Sequence, residues 1–343
     1  MSLAVRRIRR LLGTGSPRMV VRAARRSVDL RRASRELEAA LASDKPLVVG
    51  PFLGEVGYEL LYWRPYVLHL LRAHRVAPER VTIVSRGGAG AWYRDVAERI
   101  VDAFALVEPD EIRVRMDERR RVTGERKQTR EDALDRELFL RAAEELDRAE
   151  PIHPLHMFWR SRFAWEGLAD PATLLATGDY DELPRGELEP AVAALLPDRF
   201  VAVKAYYNDC LLDGPATRAG LAKLVGELAT DLPVVLLAAG AAVDEHADWI
   251  DSRRALIEVA PALRPETNLA QQAAIVARAE ALVATYGGFS YVGPFLDVPT
   301  VAVSEQAEAN PNHERILRAV RPDATYVRTD LEGGAAAVRD ALA

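Results

Sequence analysis

From Pro46 onward the chain alternates short apolar runs with longer segments whose apolar positions recur at helical spacing. "PLVVGPF" (46–52), "RVTIVSR" (80–86) and "EIRVRM" (111–116) have the strand pattern. "GYELLYWRPYVLHLLRAH" (57–74) and "AWYRDVAERIVDAFA" (91–105) have the helical one, and a further helix is predicted from about residue 128 onward. "PIHPLHMFWRSRFAW" (151–165) is aromatic, basic and periodic with neither structure. After a polar, Pro-containing stretch near 178–198 the alternation resumes. Strands are predicted at 200–206, 233–239, 255–260, 281–285, 300–304 and 325–329, with helices at 268–279 and near 334–342. Strands alternating with helices of this length predict parallel sheets with crossover helices. The expected fold class is therefore α/β, with two Rossmann-like doubly wound parallel-sheet domains facing a cleft. Their expected bounds are 46–185 and 199–343, preceded by a basic helical segment over 1–45.

Composition narrows the classes. Over 343 residues, 49% hydrophobic and 28% charged residues describe an ordinary globular protein. A single cysteine, Cys210, excludes an internal disulfide framework and any multi-cysteine metal site, and suits a reducing setting. No apolar run reaches the roughly 18–20 residues that span a bilayer, and arginines interrupt the chain start where a secretory signal would need an apolar core. The expected location is cytoplasmic. The net charge of −5 hides an asymmetry: residues 1–42 carry eleven arginines and no lysine against Asp29, Glu36 and Glu38. This basic amphipathic segment has two readings. It lies on an anionic membrane surface at the inner face, or it packs as a solvated helix on the acidic body. A nucleic-acid partner is not expected, because the basic block is confined to one end.

In parallel sheets, ligands bind beyond the carboxyl ends of strands. Candidate chemistry is therefore sought there. "GPFLGEVGYELLYW" (50–63) is glycine-rich after a strand, but Phe52 stands where a dinucleotide fingerprint needs its first glycine, and "TIVSRGG" ends on no ribose-binding acid. What remains is a loop carrying Glu55, with Glu59 one turn into the helix, either of which can be read as a general base. "VKAYYND" (203–209) offers Lys204 to a phosphate, with Tyr206 and Asn208 beside it. "ALVATYGGFSYVGPFLDVPTVAV" (281–303) places Gly287, Gly288 and Ser290 between two strands, where free N–H groups favour an anion. The competing reading is a plain strand-to-helix turn. His153 and His156 are spaced HxxH, but Pro154 between them and the lack of a nearby acid argue against a metal. The chain has no G-x-S-x-G, Walker A or H-E-x-x-H motif.

Leu269, Gln272, Ala279, the Thr285–Ser290 loop, Pro294 and "DVPTVAV" together resemble the C-terminal half of bacterial GT-B glycosyltransferases of the heptosyltransferase-like branch, with Asp297 in place of the usual glycine. The resemblance implies a metal-independent transfer from a nucleotide-diphosphate sugar to a saccharide or lipid-linked glycan, without a cofactor. It implies that the diphosphate rests on Gly287, Gly288 and Phe289, with Thr285, Tyr286 and Ser290 beside it, Lys204 neutralising it, and Gln272 and Glu305 contributing to the donor site. Gly54-Glu55 matches the family's Gly-acid pair, which implies Glu55 as the base, with Glu59 as the other candidate. Acceptor contacts are expected from Gly54, Tyr58, Arg86, His153, Trp159 and Arg160. A sugar-nucleotide epimerase, a pyruvyl transferase and a non-catalytic nucleotide- or glycan-binding protein are the alternatives.

Overall fold

Two parallel sheets organise the chain in the computed structural model, which describes residues 34–124, 128–158, 172–238, 247–250, 256–305 and 311–343. The first contains β1 (Leu47–Val49), β2 (Val81–Ser85), β3 (Arg99–Asp102) and β4 (Glu150–Ile152) in the order β3-β2-β1-β4. Its strands pair in parallel, with Leu47 opposite both Val81 and Glu150. The second contains β5 (Val201–Lys204), β7 (Val234–Leu236), β9 (Ile257–Glu258), β10 (Ala281–Thr285), β11 (Thr300–Val303) and β12 (Tyr326–Thr329). Its order is β12-β11-β10-β5-β7-β9, all parallel. A small antiparallel pair, β6 (Tyr206–Tyr207) and β8 (Ala247–Asp248), sits at the end of β5. The arrangement is the expected α/β one: two Rossmann-like parallel units. The basic segment over 1–33 lies outside the described residues; helix covers 34–42.

Alternation within each strand divides the core. Val201 and Val203 of β5, Ala281 and Val283 of β10, and Val301 and Val303 of β11 face one apolar cluster. Ala202, Leu282, Ala284 and Ala302 face the other, which runs on without a break into β1, β2 and the helix after β1. One continuous core therefore joins the two units. That helix runs through Val56–Tyr58, a π-helical turn Glu59–Trp63, and Arg64–Ala73. Pro65 causes the wide turn: it has no N–H for the Leu61 carbonyl, which instead accepts from the Tyr180 hydroxyl at 3.3 Å.

Three expectations are corrected. Residues 111–116 lie in a helix, Pro109–Thr123, not a strand. The period-2 run of Ile112, Val114 and Met116 is short and sits inside a charged stretch. Pro109 in the first turn, Asp110 and Glu111 beside it, and Gly124 at φ 69 as the C-cap supply both helix ends. The helix expected over 91–105 is instead a 3₁₀ turn (Ala89–Tyr93), β3, and a short helix (Ala103–Leu106) capped by Asp102. Pairing of Ile100 with Ile83 overrides the local pattern. The helix after 128 begins only at Ala133, where Asp132 and Asp135 form a capping box.

The polar stretch near 178–198 is a strap fastened to both units. Arg64 donates to the carbonyls of Asp181 (2.7 Å) and Glu182 (3.0 Å), while Leu183 N–H reaches the Phe295 carbonyl at 2.8 Å. Gln271 then holds Glu189 N–H and the Glu187 carbonyl.

Candidate functional site

Strand order locates the site. Each sheet winds outward in two directions from its first strand, so a crevice opens between β1 and β4 in one unit and between β5 and β10 in the other. Residues 50–55 and His153 follow the first pair, and residues 204–208 and 285–290 follow the second. The structure thus places these residues beyond the strand ends where ligands of parallel sheets bind, but it gives several of them inward partners.

On the first unit, the Phe52 N–H bonds the Val84 carbonyl, and Arg86 donates to the Gly54 carbonyl. Glu55 is half-buried, with extended backbone at the start of the helix, where its carbonyl accepts the Tyr58 and Glu59 N–H groups. Glu59 is fully buried. Arg86 Nη1 lies 3.1 Å from one of its oxygens and the Tyr93 hydroxyl donates to the other at 3.0 Å. Burial pushes the Glu59 carboxyl above its usual range, outweighing the opposite pull of Arg86 and Tyr93. Of the two candidate bases, only Glu55 reaches solvent. Arg86, expected at the acceptor, is itself buried and spends its guanidinium on Glu59 and Gly54. His153 is buried too: Nδ1 accepts the Leu155 N–H, and Nε2 lies 3.1 Å from Asp135. Tyr58 stacks on Tyr62 (5.3 Å between rings) and meets the edge of His313 from the second unit at 5.2 Å.

On the second unit, Lys204 is not an isolated cation. Its Nζ pairs with Asp248 at 2.8 Å and lies 5.9 Å from the Phe289 ring. The Thr285 hydroxyl accepts from Tyr206 N–H (3.0 Å) and donates to the Tyr206 carbonyl (2.8 Å), locking β10 to β6. Asn208 donates to the Tyr286 carbonyl and accepts from Cys210 and Leu211 N–H groups. Ser290 is buried, donating to the Gly287 carbonyl and touching the Tyr326 hydroxyl at 3.0 Å. The Arg328 guanidinium covers the Tyr286 ring at 5.3 Å. Gln272 is buried against Asn268, and Glu305 accepts from the Thr217 hydroxyl at 2.9 Å. The hydroxyls of Thr285 and Ser290 therefore shape the glycine loop from behind. Trp159 and Arg160 lie outside the described residues.

The two loops touch. A Cβ on Gly57 would stand 2.7 Å from the Gly288 Cα, and one on Gly288 would stand 3.0 Å from the Gly57 nitrogen. Gly287, at φ 139, takes a backbone conformation that only glycine adopts readily. A second contact joins Gly87, whose carbonyl accepts the N–H groups of Leu269 (2.7 Å) and Ala270 (3.1 Å) at the start of helix Asn268–Val276. Asp102 supports this contact by accepting from Gly88 N–H at 2.7 Å and Phe104 N–H at 2.9 Å. Burial nevertheless raises the Asp102 carboxyl from 3.8 to about 6. The folded chain thus holds this proton more tightly than the unfolded one. Its contribution is complete below pH 3.8 and is lost as pH rises to about 6. Asp102→Asn, which keeps one acceptor, is expected to remove that decline. Urea unfolding across this range checks it, and a wild type whose stability runs parallel to the variant's would refute it.

Sequence reasoning missed Asp248, Asp102, Gln128 and His313. Asp248 lies more than 40 residues from its partner Lys204, and His313 more than 250 from its partner Tyr58, and no local spacing announces such partners. Among the described residues, no group of three or more His, Cys, Asp or Glu side chains could hold a metal ion, and no helix is long and apolar enough to cross a membrane.

No family model matches the chain, and no curated protein matches it. Solved structures do. The ADP-heptose lipopolysaccharide heptosyltransferase II of E. coli aligns over 87% of this chain and 98% of its own, at 12% identity and TM-score 0.46. An E. coli heptosyltransferase with ADP aligns over 86% and 97%, at 15% identity and TM-score 0.44. A glycosyl transferase family 9 protein from Veillonella parvula aligns over 83% and 87%, at 15% identity and TM-score 0.43. In architecture, the chain pairs two parallel α/β units that meet at Gly57–Gly288 and at Gly87–Leu269, the two-unit α/β plan expected of a GT-B fold.

Proposed function

We propose that this protein is a GT-B-type glycosyltransferase that takes a nucleotide-diphosphate sugar in its second unit and a saccharide or lipid-linked glycan in its first. The observation that supports the reading is the contact between the loops beyond β1 and β10: the only solvent-reaching carboxylate of the 54–59 segment, Glu55, opens the helix whose Gly57 packs on Gly288. Glu55 takes the proton of the acceptor hydroxyl, whose oxygen attacks the anomeric carbon. The bond from that carbon to the diphosphate oxygen breaks, and the electron pair leaves with the nucleoside diphosphate. Backbone N–H groups of Gly287, Gly288 and Phe289 and the Lys204 ammonium stabilise that charge. Lys204 is already paired with Asp248, so the diphosphate shares the ammonium with Asp248 rather than meeting an unpaired charge. Neither a metal nor a cofactor is part of this scheme. Residues 1–42 would hold the enzyme at an anionic membrane surface, where a lipid-linked acceptor resides.

Calorimetry with UDP, GDP, ADP, CMP, dTDP and NAD, without added metal, tests the donor site. One nucleoside diphosphate is expected to bind, and Lys204→Ala is expected to weaken it by about tenfold or more, in line with the loss of one charge-assisted contact. Silence across the panel would remove the donor site. Conversion of a nucleotide sugar to its epimer with no acceptor present would replace transfer by epimerisation.

A further inference from the structure

We propose that Gln128 is the positioning residue of Glu55, acting through the 51–54 loop; this deepens the proposed function and rests on Glu55 being the base. Gln128 is buried and lies far from the loop in sequence, yet its amide spans the loop's inward polar groups. Oε1 accepts the Leu53 N–H at 2.8 Å, and Nε2 donates to the Pro51 carbonyl and to Asp135 Oδ1, both at 2.9 Å. The orientation of the amide is forced. Asp135 faces His153 at 3.1 Å and Arg119 at 3.6 Å, and these hold its carboxyl below the usual range although burial pushes the other way. An ionised Asp135 can only accept, so Nε2 must face it and Oε1 must face Leu53. The Asp132–Asp135 capping box fixes Asp135 in turn. Arg86 grips the next carbonyl, that of Gly54. Together the two side chains leave the loop one conformation two residues before Glu55. A carboxylate on a loop gains precision only from such supports.

Gln128→Met keeps the volume and removes all three bonds. Hydrogen–deuterium exchange of peptides covering 50–58 is expected to quicken by about tenfold or more while β10 peptides stay protected. Hydrolysis of ADP-, UDP-, GDP- and dTDP-sugars, with water as acceptor, is expected to lose about tenfold in kcat at unchanged donor KM. Unchanged exchange over 50–58 overturns the inference whatever the activity. Faster exchange with unaltered hydrolysis, in a protein that Glu55→Gln inactivates, overturns the positioning role and leaves the base intact. If Glu55→Gln also hydrolyses normally, the base falls and the inference with it. Should Gln128→Met fail to fold, Gln128→Asn carries the same comparison: its amide is one methylene shorter and cannot span Leu53, Pro51 and Asp135 together, and full protection of 50–58 in it would count against the proposal.

Discussion

Glu55→Gln is expected to lower the rate of sugar transfer by about a thousandfold while nucleoside diphosphate affinity stays within about threefold. A positioned general base contributes on the order of 10²–10⁴ in rate, and glutamine keeps the size of the side chain while removing the basic oxygen. Donor affinity should hold because the donor contacts proposed here belong to the other unit, at Lys204 and the Gly287–Gly288 loop. The split matters more than the loss. A fall in both rate and donor binding would mean that the variant disturbs the Gly57–Gly288 contact two residues away. An unaltered rate removes Glu55 as the base.

The second large effect falls on stability. Glu59→Ala strands the Arg86 guanidinium, 7% exposed, and leaves the Tyr93 hydroxyl without its acceptor. Breaking a buried ion pair by removing one partner costs about 3–5 kcal/mol. Glu59→Gln keeps an acceptor and the packing, so it should cost roughly 1–3 kcal/mol, the range for one compromised buried hydrogen bond. Urea unfolding of both variants measures the difference. Equal losses would show that the cavity, rather than the stranded charge, governs the site. A side effect follows from the same geometry: once Arg86 loses Glu59, its hold on the Gly54 carbonyl should slacken, and Glu59→Ala should lose transfer activity even at temperatures where it stays folded.

Much of the second unit is legible in the sequence because its strands are buried on both faces. Such strands read as unbroken apolar runs, and β10 and β11 lie within a residue of the runs 281–285 and 300–304. The first unit misleads where charge and alternation coincide. Ile112, Val114 and Met116 mimic a strand inside a helix, and Arg99–Asp102 mimics a helix inside a strand. In both places a neighbour decides: β2 recruits β3, and the capping residues of Pro109–Thr123 outweigh a three-residue alternation.

For the site, the residue types at strand ends were visible from spacing alone, since parallel topology obliges those ends to lie together. Which of those side chains remain available was not. Glu55 and Glu59 are four residues apart on one short segment, and only burial against Arg86 and Tyr93 separates a solvent-reaching carboxylate from a structural one. Lys204 reads as a lone cation until Asp248 arrives from the β6–β8 pair. Gln128 has no motif at all. By itself the sequence determined the alternation of elements, the two-unit plan and the loops at which chemistry must sit, because hydrophobic period and glycine placement are local properties. The tertiary structure alone decided the partners of each polar group, because a buried charge or amide is satisfied by whatever the fold brings within about 3 Å of it, and that neighbour is set by packing rather than by sequence distance.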